Sequence, residues 1–184
     1  MVMDIDITKK YKVIYADPPW YFKSYSKKGE GRNATKHYEC AGVDWITSLP
    51  IKSIADEHST LIMWVTDPFL QEAFKVIEGW GFKYKTVAFT WVKQNKNNSN
   101  FFTGLGYWTR ANPEMALLAT KGKPKRINKD VSQLVISKRR EHSRKPDEMY
   151  ERIERLLEGP YIELFARTQR PGWDSWGNQV DKFK

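Results

Sequence analysis

The stretch that most constrains this chain is Val13-Ile14-Tyr15-Ala16-Asp17-Pro18-Pro19-Trp20. A run rich in β-branched and aromatic residues stops at an acid, two prolines and a tryptophan. The run reads as a buried strand over 12–16. Proline lacks an N–H and fixes φ, so the strand ends there. A carboxylate, rigid backbone carbonyls and an aromatic ring are thereby gathered at a strand's C-terminal end. In open α/β sheets that edge is where ligands bind.

The remaining segments alternate between strand and helix patterns. Buried strands are expected at 60–65, 86–92, 114–120 and 161–166, with a short one at 134–136. A short helix is expected from Asp44, with Trp45 and Leu49 inward and Pro50 ending it. Asp67-Pro68 should open a second helix, with aspartate as N-cap and proline at its first position. Leu70, Phe74 and Ile77 keep helical spacing there, and Gly79 and Gly81 end it. Pro146 to Leu157 is the clearest helix, with Met149, Ile153, Leu156 and Leu157 as its apolar stripe. Such alternation implies an α/β fold, a mainly parallel sheet with helices on both faces. A single domain over 1–184 fits the length.

The net charge of +9 is concentrated. Between Lys121 and Lys145 there are ten basic residues against two acidic ones, which is nearly the whole excess. Lys23 to Lys36 holds five more, interleaved with Tyr21, Phe22, Tyr25 and Tyr38. Rings can stack on bases while lysines meet phosphates, so this loop suits nucleic acid. A second aromatic-basic loop carries Tyr107, Trp108 and Arg110, with Lys93 just before it; substrate contact is expected there too. Trp64, Phe89 and Trp91 read as core. The single cysteine, Cys40, excludes an intramolecular disulfide and a multi-cysteine zinc site. No ligand spacing links the three histidines, and no metal is expected. No run approaches membrane-span length and no targeting pattern opens the chain, so an intracellular, cytoplasmic protein is expected.

An exocyclic amine such as adenine N6 is a poor nucleophile, because its lone pair is delocalised into the ring. A carboxylate and a fixed carbonyl can accept its N–H bonds and favour localisation of that pair. An aromatic ring can stack on the base. Asp17, the Pro18 carbonyl and Trp20 or Tyr21 supply these parts. The electrophile must then come from a cofactor.

Asp-Pro-Pro-Trp after a buried strand resembles the motif of amino-methyltransferases that use S-adenosylmethionine. Five further stretches narrow the likeness: 60–69, 89–95, 103–122, 140–154 and 162–179. In this order they resemble the MT-A70 family of adenine-N6 methyltransferases over almost the whole chain. The resemblance implies a Rossmann-like methyltransferase fold and S-adenosyl-L-methionine as cofactor. It implies that Asp17, Pro18, Pro19 and Trp20 form the target-amine site, with Asp17 also near the cofactor's methionine portion. By the same resemblance Lys145 meets the cofactor carboxylate. Glu163 and Arg167 lie near its ribose, and Asn178 and Gln179 hydrogen-bond the ribose hydroxyls. Tyr21, Lys23 and Tyr38 are expected to contact substrate, together with Lys93, Tyr107, Trp108 and Arg110.

The compact length points to DNA ahead of RNA as the polymer. A homodimer, or pairing with a related chain, is in keeping with the family. The alternative from another class is a catalytically inactive nucleic-acid-binding subunit of a methyltransferase complex.

Overall fold

The computed structural model describes residues 5–20 and 42–183. Tyr21, Lys23, Tyr38 and Cys40 lie outside the described residues. The strands are β1 (Tyr11–Ala16), β2 (Ala55–Val65), β3 (Lys83–Gln94), β4 (Glu114–Lys121), β5 (Leu134–Lys138), β6 (Tyr161–Leu164) and β7 (Trp173–Trp176). The helices are α1 (Val43–Ser48), α2 (Ile51–Ile54), α3 (Leu70–Gly79) and α4 (Glu148–Leu156). The seven strands form one sheet in the order β5-β3-β4-β2-β1-β6-β7.

All ladder pairs are parallel except those of β4, which runs against both β2 and β3. The reason lies in the connection. A parallel return needs a crossover, usually a helix, and the 95–113 segment holds no helix or strand. The chain therefore turns back beside β3. Its consequence for the site is direct: the first residue of β4, Glu114, arrives at the edge where the other strands end.

Side-chain alternation along β1 and β2 divides the core. Ile14, Ala16, Leu61, Met63 and Val65 face α1 to α3, packing on Ile46, Ile51, Ile54, Val76, Ile77 and Trp80. Val13, Tyr15, Ile62 and Trp64 face α4, packing with Phe89, Trp91, Met149, Tyr150, Ile153 and Trp173. The expected helices on both faces and mainly parallel sheet are what is found. Trp64, Phe89 and Trp91 are core residues as expected.

Several local expectations are corrected. Trp45 is 37% exposed, and Ile46 takes the fully buried position in α1. Pro50 ends α1, but a further helical turn, α2, follows at once. Asp67 does not cap by its side chain; it opens a 3-10 turn, Asp67–Phe69, that leads into α3. Gly81 does end α3 as expected. It takes φ +83°, and the Phe82 N–H reaches back to the Ile77 carbonyl at 3.0 Å. β2 begins at Ala55, ahead of the expected 60–65, because the polar Asp56, Glu57 and His58 hide its first residues in the sequence. Beyond the strands expected, Trp173 to Trp176 forms an edge strand paired with β6. β6 itself stops at Leu164, because Phe165 turns into the left-handed region at φ +59°.

Ile14 sits at the centre of β1 with no exposed surface. Ile14→Ala should lower unfolding free energy by about 2–5 kcal/mol in urea denaturation.

Candidate active site

β1 lies between β2, which follows it early in the chain, and β6, which arrives late. The sheet order reverses direction there, and the crevice beyond such strand ends is the expected ligand position in open α/β sheets. A small cleft, partly open to solvent, occupies this place. Tyr15 and Asp17 reach it from β1, Glu163, Phe165, Arg167 and Thr168 from β6 and the turn after it. Ser143 to Asp147 and Tyr150 reach it from the start of α4, and Phe183 from the C-terminal turn.

The core of the site is a chain of charges. Lys145 Nζ lies 2.8 Å from both Asp17 oxygens. Arg167 Nη1 lies 3.4 Å from Asp17 Oδ2 and donates to the Ser143 carbonyl at 2.8 Å. Lys145 Nζ is also 3.3 Å from Glu114 Oε2, and Lys93 Nζ is 2.5 Å from Glu114 Oε1. Each of these five side chains is at most one-fifth exposed. Two carboxylates thus face three cations, leaving one positive charge in excess in a poorly hydrated place.

Burial alone would raise the Glu114 carboxyl, but the Lys145 and Lys93 charges outweigh it and hold it at about 2. Burial likewise works against the Lys145 ammonium, and Asp17 and Glu114 overcome it and raise its pKa.

A second group lies on the α4 side. The Tyr150 hydroxyl donates to Glu163 Oε2 at 2.7 Å. Glu163 is 8% exposed, and burial pushes its carboxyl up to about 7 although the Tyr150 bond opposes this. Burial also pushes the Tyr15 and Tyr150 phenols up, with Glu163 adding to the effect. Among the described residues, two of the three non-glycine positions with positive φ, Ser143 and Phe165, border this cleft. Such backbone is sparsely populated for L-residues and gathers at functional sites.

The motif residues divide by role. Asp17 is accessible at the cleft. Pro18 is buried, and its carbonyl already accepts the Trp20 N–H at 2.8 Å, which leaves a second lone pair. Trp20 corrects an expectation. It is 6% exposed, its ring is stacked on Phe69, and its indole N–H donates to the Trp64 carbonyl at 3.1 Å. The indole therefore anchors the motif to β2 rather than offering an open stacking face. Trp64 in turn donates to the Tyr15 hydroxyl at 2.6 Å, and its ring lies 5.3 Å from Lys145 Nζ.

Of the other expected residues, Asp17, Lys145, Glu163 and Arg167 come together. Asn178 and Gln179 sit on the turn after β7, outside the cleft lining; Phe183 of that turn lines it instead. Lys93, expected at substrate, is held on Glu114. Tyr107 and Arg110 are exposed, and Trp108 is fully exposed at φ +60°, on the loop after β3. Asn112 fastens that loop, exchanging hydrogen bonds with the Lys93 backbone at 2.9 Å each way and donating to the Phe102 carbonyl.

Part of the basic run is used internally. Arg140 pairs with Asp147 and Arg144 with Glu141, whereas Lys123, Lys125, Arg126, Lys129 and Lys138 face solvent.

No motif or spacing in the sequence marks Glu114 or Phe165 as cleft residues. An acid at the first position of a buried strand was the available signal for Glu114.

The MT-A70 family model matches residues 11–179. This chain belongs to the MT-A70 family. It is 36% identical to the Type II methyltransferase M.MunI of Mycoplasma sp over 190 residues, covering 94% of this chain and 78% of that protein. It is 31% identical over 184 residues to the human N(6)-adenosine-methyltransferase catalytic subunit METTL3, covering 97% of this chain and 30% of METTL3. An Arabidopsis thaliana N(6)-adenosine-methyltransferase MT-A70-like protein is 31% identical over 182 residues, 96% of this chain and 25% of its own. The chain thus spans most of M.MunI but under a third of the other two. Among the described residues, no helix of this MT-A70 chain is long and apolar enough to cross a membrane.

Glu163 gives a pH test. Its carboxyl ionises near 4.5 when unfolded and near 7 when folded. The folded state holds the extra proton in that window, so this group's contribution to stability falls as pH rises through it. Glu163→Gln should remove a fall on the order of 3 kcal/mol between about pH 5 and about pH 8, read by urea denaturation.

Proposed function

We propose that this chain transfers a methyl group from S-adenosyl-L-methionine to N6 of adenine in DNA. The observation that carries the reading is the position of Asp17 and the Pro18 carbonyl. They stand at the C-terminal end of β1, at the sheet's reversal, beside a cation pair with one positive charge in excess.

The cleft suits the cofactor by its donor set. Lys145 and Arg167 offer charge and N–H groups to a carboxylate, and the start of α4 adds its own favourable dipole. Glu163, once ionised, accepts hydrogen bonds from a ribose diol. Phe165, whose ring packs edge-on against Trp176, borders the cleft and offers it an aromatic surface for an adenine. Asn178 and Gln179 would reach the ribose only through a movement of the turn after β7. The cofactor supplies a methyl group on a sulfonium, electrophilic enough for direct displacement.

The protein's part is positioning. Asp17 accepts one N6 hydrogen and the free lone pair of the Pro18 carbonyl accepts the other. Both bonds grow stronger as positive charge develops on that nitrogen, which is where they lower the barrier. Trp20, stacked on Phe69 and bonded to Trp64, fixes the backbone that carries these acceptors. Tyr107, Trp108 and Arg110 extend from the rim to contact the nucleic acid, and Tyr21, Lys23 and Tyr38 complete that contact. A target in a duplex must be flipped out of the stack to reach Asp17. The exposed lysines of 123–138 neutralise phosphate, so binding weakens as salt rises.

DNA as polymer is supported by how fully the chain spans the Type II methyltransferase. RNA is the second reading, favoured by the 31% identity to METTL3, whose name specifies adenosine. Pairing with a second copy or a related chain belongs to the same proposal.

The test is incubation with isotope-labelled cofactor and either DNA or RNA, followed by nucleoside mass spectrometry. The expected product is labelled N6-methyldeoxyadenosine. Label in the ribonucleoside alone would move the reading to RNA, and none in either would overturn it. Asp17→Ala should reduce turnover by about 100-fold or more while the chain stays folded by circular dichroism.

A further inference from the structure

We infer that Glu114 is a positioning residue that sets where the Lys145 ammonium stands between Asp17 and the cofactor carboxylate. The inference rests on the methyltransferase reading above and assigns a residue that the motif does not contain.

Lys145 has two anionic neighbours and not one. Asp17 holds it at 2.8 Å through both oxygens, and Glu114 draws it from the other side at 3.3 Å. Without Glu114 the ammonium would have Asp17 as its one ion-paired carboxylate among the described residues. The pair would then close on itself, and both functions would suffer. Asp17 would have less acceptor capacity for an amine, and Lys145 would be less free to meet an incoming carboxylate. With Glu114 present, Lys145 has a second seat when it shifts off Asp17. The barrier to that shift falls because the ammonium never stands unpaired in a buried place.

Glu114 is itself held for this task. Lys93 binds its other oxygen at 2.5 Å, so Oε1 and Oε2 are assigned to different cations. Lys93 is fixed in turn by Asn112, which bonds its N–H and its carbonyl. Trp91 lies opposite Glu114 in the ladder, and Lys93 Nζ sits 5.3 Å from the Trp91 ring. The carboxylate therefore has a set orientation, not merely a set position. The reversed direction of β4 is what allows an N-terminal strand residue to reach this edge.

A purely structural role predicts something different. Glu114 would then matter only as a buried counter-charge to Lys93, and removing Lys93 as well would make it dispensable. The test compares Glu114→Gln, Glu114→Asp and the double variant Glu114→Gln with Lys93→Met. Cofactor affinity is read by titration calorimetry on the intact chain, and kcat and KM for DNA are read alongside.

Positioning predicts that E114Q binds S-adenosyl-L-methionine about tenfold more weakly or worse, with kcat also reduced. E114D, which keeps the charge, should recover most of the affinity. The double variant should stay as weak as E114Q. If E114Q does not fold, the double variant carries the test alone, since it removes both buried charges together. Wild-type affinity in E114Q, or its restoration by Lys93→Met, would overturn the inference. Failure of the wild-type chain to bind the cofactor would instead overturn the methyltransferase reading beneath it.

Discussion

Asp17 and Lys145 are 128 positions apart in sequence, and their contact is the constraint on which the site depends. It joins the end of β1 to the start of α4 across the place where the sheet reverses. Burying two charges is costly, and their attraction repays the cost only when further hydrogen bonds satisfy what remains. Here Arg167 and Glu114 extend the pair into a chain, with Lys93 at its far end. Removing any one member leaves a neighbour charged and poorly hydrated. The five charged side chains therefore constrain one another, three cations against two carboxylates, with Glu163 lining the same cleft.

The sheet explains why these groups meet. Asp17, Lys93 and the residues after Leu164 are all at C-terminal strand ends, as parallel strands require. Glu114 alone comes from an N-terminal end, through the reversal of β4. Aromatic residues then set the backbone around the charges: Trp20 on Phe69, Trp64 on Tyr15, and Tyr150 edge-on to Tyr15 at 5.8 Å. The motif's tryptophan is packed and hydrogen-bonded away from solvent, whereas its acid borders the cleft.

Much of this could be read from the sequence because it was local. The proline pair stops β1 wherever the strand sits, and the apolar runs of β2, β3 and β4 name themselves. Lys145, Glu163 and Arg167 were legible through their likeness to family stretches. What escaped was set by tertiary partners. Trp45 and Ile46 are adjacent and both apolar, so only packing on α3 decides which turns inward. β7 is too short, and too mixed in polarity, to announce itself apart from β6. Glu114 needed knowledge of strand direction, which depends on the absence of a crossover helix between β3 and β4. Trp20 needed the position of Phe69, which no spacing in the motif encodes.

The side chain of Asn112 has a wider meaning. By tying the end of the 95–112 loop to the backbone of Lys93, it isolates the loop's tip from the charged groups at its base. Residues beyond that clip can lengthen, shorten or change character without shifting Lys93 or Glu114. One side chain thus separates the loop's exposed tip, with Trp108 at its most exposed point, from a base that shares the largely buried ion pair of Lys93 and Glu114.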